Sequence, residues 1–297
     1  QTVQVKTQIG LAPTTKTFKQ IATDELANMA TLLARGEGKV IFKHYAFAIN
    51  KYLTPFFGNY TIEKITSELI SDFESWRIAQ MGKIPVASTK RNHASAYARV
   101  INLARERGYV GANKVVPLLD GKGAKSIPRP AFTDKEIEQL LAHIPKWVKC
   151  AITEKAKQAR ALCGFYIRFL VGTGVRCGTE ATPLRWKHLQ WHYIGDKRFL
   201  RIWVSGKTGS RYLIARNEVI AVFEELLRWQ KLPYKTLDAI VEAKIDKLVF
   251  RLQMGNAITN IENMFRALML HSGLRVDNAG QIRTLYSLRH TYATQAL

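Results

Sequence analysis

Apolar side chains recur at helical spacing through residues 21–110 of the chain. A first apolar face precedes an interruption that we predict at residues 54–58, and two further helices follow. Thr66 is typical of an N-cap, and Glu68 in the first turn favours the helix dipole. The last helix is predicted over residues 88–107. The apolar positions are Phe42, Tyr45, Ala46, Ile49, Ile70, Phe73, Trp76, Tyr97, Val100, Ile101 and Ala104.

Residues 131–297 begin with a helical pattern of their own. Thr133 followed three residues later by Glu136 predicts a capping box. A strongly apolar helix then ends at residues 172–174, where two glycines stop it. Its apolar face consists of Leu162, Phe165, Tyr166, Phe169 and Leu170. A later helix is predicted from Ile261, Met264, Phe265 and Leu268.

Strand spacing interrupts this helical pattern once. Leu200, Ile202 and Val204 alternate with more polar positions, which predicts a strand. Residues 206–209 predict a turn, and residues 211–215 predict the return strand of a hairpin. The predicted fold is therefore mainly α, with two domains: an N-terminal helical domain and a mostly helical second domain with a small antiparallel β-sheet.

Two segments show little periodicity. Residues 1–20 are polar and basic and are predicted to form an N-terminal arm. Residues 111–130 are rich in Gly, Pro and Lys, which predicts a basic linker. Such a linker fits a clamp that closes around a nucleic-acid duplex, and it fits equally well an ordinary solvated connection between domains.

The chain is strongly basic. Its 297 residues contain 45 Lys and Arg against 23 Asp and Glu, a net charge of +22. The excess is +9 over residues 1–127 and +13 over residues 128–297. A positive charge carried by both halves indicates an extended polyanion, and therefore a nucleic acid, as partner.

Other classes of protein are disfavoured by composition. Cys150, Cys163 and Cys177 lack the spacing of a disulfide framework or a zinc site, so we expect a reducing, cytoplasmic setting and no metal. No apolar run has the length of about 20 residues that a membrane helix needs. The first residue is Gln1 instead of Met, and we expect the chain to be a piece of a longer protein.

Two short segments carry the candidate chemistry. Residues 173–181 read TGVRCGTEA and place Arg176 on a turn, and residues 285–294 read LYSLRHTYAT and place Arg289 near a helix start. A guanidinium stays charged at physiological pH and binds phosphate with paired donors. Two such groups on one phosphate form a site for phosphoryl chemistry. Lys207 adds a third cation at the tip of the predicted hairpin.

These segments, in this order, resemble the two arginine boxes of the tyrosine recombinase (phage integrase) family. The resemblance covers nearly the whole chain: residues 21–110 resemble the core-binding domain, and residues 131–297 resemble the catalytic domain. It implies a site-specific recombinase of phage or mobile-element origin that cuts DNA through a 3′-phosphotyrosyl intermediate. It also implies double-stranded DNA as partner, a homotetramer on that DNA, and no cofactor.

The resemblance also assigns roles to residues. Arg176 and Arg289 would bind the non-bridging phosphate oxygens, and Lys207 would protonate the leaving 5′-oxygen. Glu180 would orient an arginine or support the fold. His290 matches the histidine that commonly follows the second arginine.

Lysines and arginines outside the boxes are further candidates for contact with DNA. Lys90 and Arg91 begin a predicted helix, where phosphates bind favourably, although a solvated helix end explains them equally well. Lys122 and Lys125 belong to the basic linker and are assigned to the DNA with it.

The chain departs from the family pattern at three points. Glu180 follows Arg176 by four residues, where three is commoner. Tyr286 stands where most members carry His or Lys, so a neutral phenol replaces a cation. The nucleophilic tyrosine of the family lies some tens of residues past the second box, so we expect it beyond Leu297. Tyr292, in the second box, is predicted to pack in the core.

Two other hypotheses stay open. A non-catalytic DNA-binding protein with the recombinase fold fits Tyr286 and the absence of a matching nucleophile among these residues, but does not require Arg176, Lys207 and Arg289 together. A basic helical RNA-binding protein would show exposed stacking aromatics, and no motif for these stands out in the sequence.

Overall fold

The chain divides into two units, residues 1–127 and residues 128–297. The computed structural model describes residues 16–111, 113–123, 129–206 and 209–295. Most of the predicted arm and Lys125 and Lys207 lie outside these ranges. Within them, no helix is both long enough and apolar enough to cross a membrane.

The first unit is a helical bundle. Its helices are α1 (Phe18–Ala34), α2 (Phe42–Ala48), α3 (Thr54–Phe57), α4 (Ser67–Met81) and α5 (Ala87–Glu106). The Thr66 side chain accepts a hydrogen bond from the backbone N–H of Leu69, so the predicted N-cap is confirmed. Rings from α1, α3, α4 and α5 form the centre of the core, with centroids less than 6 Å apart. They belong to Phe18, Phe57, Phe73 and Tyr97.

The predicted interruption at residues 54–58 is wrong. The helix continues through a π-helical turn, Ile49–Leu53, which leads directly into α3. Pro55 cannot donate a backbone hydrogen bond, and its ring clashes with the carbonyl of residue 51 in a regular α-helix. The wider turn, in which the N–H of Thr54 bonds to the carbonyl of Ile49, places Pro55 in the first turn of α3.

Residues 113–123, inside the predicted linker, belong to the first unit. Val116 and Leu119 are buried in its core, and the Tyr97 hydroxyl donates to the carbonyl of Pro117 at 3.1 Å. Gly121 lies against α5, where a Cβ atom would be 3.5 Å from Cα of Arg91. This segment therefore follows the α5 surface.

The described part of the second unit contains six helices, four of which pack around a central one. They are α6 (Asp134–Lys149), α7 (Glu154–Thr173), α8 (Glu218–Trp229), α9 (Leu237–Ala243), α10 (Ile261–His271) and α11 (Leu285–Gln295). Helix α7 is central because its apolar residues recur on several sides, and it contacts α6, α8, α10 and α11. The capping box of Thr133 and Glu136 is confirmed at the start of α6.

A three-stranded antiparallel sheet completes this unit, in the order β1 (Leu189–Ile194), β2 (Lys197–Gly206) and β3 (Gly209–Ile214). The two predicted strands are present, and β1 was missed. In β2, Leu200, Ile202 and Val204 face the core, as the alternation predicts. The mainly α fold class with one small antiparallel sheet is confirmed.

Candidate functional site

The turn after α7 is held in place by a glycine. Gly174 ends the helix in the left-handed region, with φ of +60°, which favours glycine. A Cβ atom here would also lie 2.3 Å from Cδ1 of Tyr292. The carbonyl of Gly174 accepts a hydrogen bond from Nη1 of Arg289. This hydrogen bond holds the guanidinium of Arg289 against the backbone of the turn. The residue that it contacts, Gly174, precedes Arg176 by two positions in the sequence.

Arg176 is oriented by a buried carboxylate in the same turn. Its Nη1 donates to Oε1 of Glu180 at 2.6 Å, and its backbone N–H donates to Oε2 at 3.0 Å. The Glu180 side chain has no exposed surface, whereas 28% of the Arg176 side chain is exposed. The ion pair thus anchors the guanidinium to the turn, while part of the Arg176 side chain remains at the surface.

The spacing of four between Arg176 and Glu180 is accommodated by a turn. Backbone N–H groups of Glu180 and Ala181 both bond to the carbonyl of Arg176. Gly178 adopts φ of +87°, and a Cβ atom there would meet no neighbour within 4 Å. The extra residue therefore forms part of the loop, and Glu180 still contacts both the backbone and the side chain of Arg176.

Arg211 on β3 is a site residue that sequence reasoning missed. Its Nη1 and Nη2 donate to Oε1 and Oε2 of Glu180 at 2.7 and 2.9 Å. Arg211 is paired with Val204, which points into the core, so it is a basic residue on the inward side of the strand. The pairing of β3 with β2 was the signal that could have identified Arg211, because an arginine that points inward needs a buried acidic partner.

The same carboxylate contacts the hairpin that leads to Lys207. A Cβ atom on Gly206 would lie 2.9 Å from both Cγ and Oε1 of Glu180, so a larger residue would displace the acid. Gly206 is the last residue of β2 and is paired with Gly209. Glu180 thus connects the Arg176 turn with both strands of the hairpin.

Glu180 is ionised over the physiological range. Burial alone would raise the pKa of this carboxyl group. Hydrogen bonds from Arg211 and Arg176, together with the charge of Arg211, outweigh burial and lower the pKa to about 2. The turn therefore contains a fixed negative charge between two guanidinium groups.

Tyr286 and His290 lie one helical turn apart on α11, on either side of Arg289 in sequence. Their rings meet edge to face, with centroids 5.1 Å apart. Tyr286 is 40% exposed. It also lines a cleft of about 420 Å³ together with Cys177, Glu262 and three arginines. These are Arg129, Arg266 and Arg275. The phenol therefore faces a mainly basic cleft.

The residues predicted to contact DNA in the first unit lie in different settings. Arg91 and Lys122 line a cleft of about 850 Å³ at the start of α5, together with Ser88. Lys90 points instead towards α4, with Nζ 3.4 Å from Oε2 of Glu74. Lys125 lies outside the described residues.

Solved structures resemble the chain over almost its whole length. One is the XerH site-specific recombinase bound to a palindromic difH substrate, with 20% identity, TM-score 0.60, and coverage of 99% of this chain and 82% of that chain. A lambda integrase tetramer bound to a Holliday junction has 15% identity, TM-score 0.65, and coverage of 97% and 72%. The Tn1549 transposon integrase with transposon right end DNA has 18% identity, TM-score 0.59, and coverage of 94% and 86%.

These similarities define the class of fold. The chain has the fold of the tyrosine recombinases, as its two boxes indicated. No protein-family model matches the sequence, and no curated protein matches it.

Proposed function

We propose that this protein is a site-specific DNA recombinase or integrase of the tyrosine type, encoded by a phage or another mobile element. One observation carries the proposal: Arg176 and Arg289 are held at one turn, Arg176 by the buried Glu180 and Arg289 by the carbonyl of Gly174. Both cations come from distant parts of the sequence. This arrangement suits a single phosphate that contacts both guanidinium groups.

The proposed reaction exchanges one phosphodiester bond for another without an external energy source. A tyrosine hydroxyl loses its proton to solvent as its oxygen attacks the phosphorus. A 3′-phosphotyrosyl bond forms, the bond from phosphorus to the 5′-oxygen breaks, and that oxygen leaves as a hydroxyl. A 5′-hydroxyl of a second strand then reverses the step and releases the tyrosine. Arg176 and Arg289 stabilise the charge that develops on the non-bridging oxygens. Lys207 donates the proton to the leaving 5′-oxygen.

The other residues of the second box have supporting roles in this proposal. Tyr286 donates a hydrogen bond to a phosphate oxygen where a cation is commoner, and its exposure leaves the hydroxyl accessible. His290 holds the Tyr286 ring through their edge-to-face contact.

We place the nucleophile at a tyrosine beyond residue 297 in the full-length gene product. Tyr292 suits a packing role better, because its ring lies against Gly174 and under the guanidinium of Arg216, 4.7 Å from the ring centroid.

We further propose that the protein binds duplex DNA through both units and assembles as a homotetramer. Both units are basic, with +9 and +13. Residues 21–110, with the segment 113–123 that packs in the same core, serve as the core-binding domain, and residues 131–297 serve as the catalytic domain. Arg91, Lys122, Lys90 and Lys125 are the proposed phosphate contacts outside the catalytic centre. The lambda integrase that shares this fold is a tetramer on a Holliday junction.

A second candidate function is DNA binding without cleavage. Tyr286 favours it, because a neutral phenol stabilises a phosphorane-like transition state less than a cation does. The hydrogen bonds of Arg176 and Arg211 to the buried Glu180 favour catalysis, because binding alone does not need a buried acid to orient arginines.

The formation of a covalent adduct separates the two candidates. The full-length gene product is incubated with a nicked duplex that contains its site, and protein–DNA adducts are counted after denaturation. We expect an adduct whose rate of formation falls about 10²–10³-fold in Arg176→Ala and in Arg289→Ala, with duplex affinity retained. Arg228→Ala, an exposed arginine on α8, is the matched control and should cleave normally. Salt-sensitive binding without an adduct would support the second candidate, and normal cleavage by either arginine variant would refute the assigned site.

A further inference from the structure

One face of the sheet is packed against the core, while the other is open. On β2, Leu200, Ile202 and Val204 are at most 2% exposed. The alternate residues on the same strand, Phe199 and Trp203 among them, keep part of their surface accessible. The sheet therefore presents a second face that is not used by the core.

This open face carries aromatic rings in two cross-strand pairs. Trp203 is paired with Tyr212 of β3, and Phe199 is paired with His192 of β1, so the four rings lie on one side of three adjacent strands. Tyr212 is 53% exposed. We call these four residues, together with Arg201 between them, the aromatic face.

Arg201 is fixed among the rings. Its guanidinium lies 4.6 Å from the centroid of the Tyr212 ring, and its Nη2 donates to Oε1 of Gln190 at 2.7 Å. This contact keeps a positive charge at the centre of the face, between Phe199 and Trp203 on the same strand.

The Lys, Arg, Asp and Glu residues of the three strands are all basic. None of the three strands contains an Asp or Glu at any position. The basic residues in the strands are Lys197, Arg198, Arg201 and Arg211. The nearest acid in sequence is Asp196, in the turn between β1 and β2. A polyanion can therefore approach the face without meeting a carboxylate in the strands.

Exposed rings on an antiparallel sheet, with a cation among them, suit unpaired nucleotides. Bases stack on ring faces while cations hold the phosphates, and a sheet of this size accommodates about two or three bases. In a duplex the faces of the bases are already stacked, so paired DNA gains little here. An acidic protein surface would need several cations, whereas rings outnumber cations on this face.

We propose that the aromatic face binds single-stranded DNA. The inference rests on the proposed function, since the transfer of a strand between duplexes unpairs nucleotides beside the cut phosphate. The β2–β3 hairpin that carries Lys207 also carries most of this face. Trp203 and Tyr212 would stack on bases, and Arg201 would contact the adjoining phosphate.

Fluorescence anisotropy with a labelled oligothymidylate of about 12 nucleotides tests the proposal. We expect Tyr212→Ala to weaken binding about tenfold at every salt concentration, because a stacking contact is lost and no charge is removed. Tyr212→Phe, which keeps the ring, should bind within about twofold of the wild type. Thermal unfolding of each variant verifies that the sheet is intact.

Tyr193→Ala is the matched control. Tyr193 is a tyrosine of the same sheet and is 62% exposed. It lies on the same side of β1 as Leu189 and Trp191, which is opposite to the aromatic face. Its loss should leave affinity unchanged. Equal weakening by Tyr193→Ala and Tyr212→Ala, or no weakening by Tyr212→Ala, would overturn the proposal.

Two competitors identify the ligand. Unlabelled oligouridylate that competes more strongly than oligothymidylate would point to RNA and overturn the assignment to DNA. Polyglutamate that competes equally, with the same dependence on Tyr212, would overturn it in favour of an acidic protein partner.

The adduct assay on a duplex separates this inference from the proposed function. If an adduct forms and single-strand binding does not change in Tyr212→Ala, the proposal for the aromatic face is refuted and the proposed function stands. Binding of the single strand that depends on Tyr212, without any adduct from the full-length protein, would refute the recombinase and leave the aromatic face as a DNA-binding surface.

Discussion

The molecule buries an arginine in one unit and a glutamate in the other, and the two clusters differ in construction. In the first unit Arg77 is fully buried and pairs with Glu74, while its Nε and Nη1 have no hydrogen-bond partner among the described residues. In the second unit Glu180 is the buried member, and both of its oxygens accept hydrogen bonds from Arg176 and Arg211.

The difference determines which charge can reach a ligand. Arg77 is enclosed by the core and lies 5.2 Å from the centroid of the Phe73 ring, so no anion in solvent can contact it. Arg176 and Arg211 keep 28% and 39% of their side chains exposed. Of these two clusters, only the one around Glu180 presents guanidinium groups to solvent, whereas Arg77 beside the partly exposed Glu74 belongs to the core.

Removal of the acid from the first cluster should have the largest effect on stability. Glu74→Ala leaves the Arg77 charge buried without its ionic partner, and we expect the free energy of unfolding to fall by about 3–5 kcal/mol. Chemical denaturation of the purified chain measures this change. Lys64→Ala, a residue on the same unit outside the cluster, is the control and should change stability little. A loss below about 1 kcal/mol would show that Arg77 does not depend on Glu74.

The second prediction uses pH to separate the clusters. Burial, followed by the charge of Arg77, lowers the pKa of His93 to about 4. The folded first unit therefore binds fewer protons than the unfolded chain between pH 6.5 and 4, and its stability falls across that interval as pH decreases. Glu180 has a lowered pKa of about 2, so its contribution is complete above pH 4.5 and is lost as pH falls towards 2. Each loss is at most about 3.4 kcal/mol.

Hydrogen exchange read by mass spectrometry follows the two units separately. The first unit should lose protection between pH 6.5 and 4, and His93→Gln should reduce that loss. Glu180→Gln should flatten the dependence of the second unit below pH 4.5. Loss of protection by both units over one interval, unaffected by either variant, would contradict the comparison.

Local signals in the sequence were sufficient for much of the fold. The caps at Thr66 and Thr133 depend on side chains within three residues, so they could be predicted directly. The π-helical turn at Ile49–Leu53 could not be predicted in this way. Pro55 alone would end the helix, but the packing of Phe57 into the core stabilises its continuation.

The candidate site shows the same limit. Arg176 was singled out by neighbouring glycines, Arg289 by its place near a helix start, and both by a resemblance, and all of these are visible in a linear sequence. Arg211 required the register of β3 against β2, since only the pairing with Val204 shows that it points inward. Strand register depends on contacts along the whole sheet, and β1 itself had been missed.

The smallest effects come from the replacement of one arginine in each cluster by methionine. Arg77→Met removes a buried charge but keeps most of the side-chain volume, and Glu74 retains solvent and Lys90 as partners. We expect the free energy of unfolding to stay within about 1 kcal/mol of the wild type, or to rise. Arg211→Met deprives the fully buried Glu180 of two donors and should cost about 2 kcal/mol.

Paired denaturation curves of these two variants measure the difference directly. The pH dependence of the Arg211 variant adds a second readout, because the pKa of Glu180 should rise once Arg211 no longer bonds to it. If Arg77→Met proved as destabilising as Arg211→Met, the sign of the buried charge would not distinguish the clusters. The ion pair of Arg176 with Glu180 would then be one more ion pair of the core, and the partial exposure of Arg176 would need another explanation.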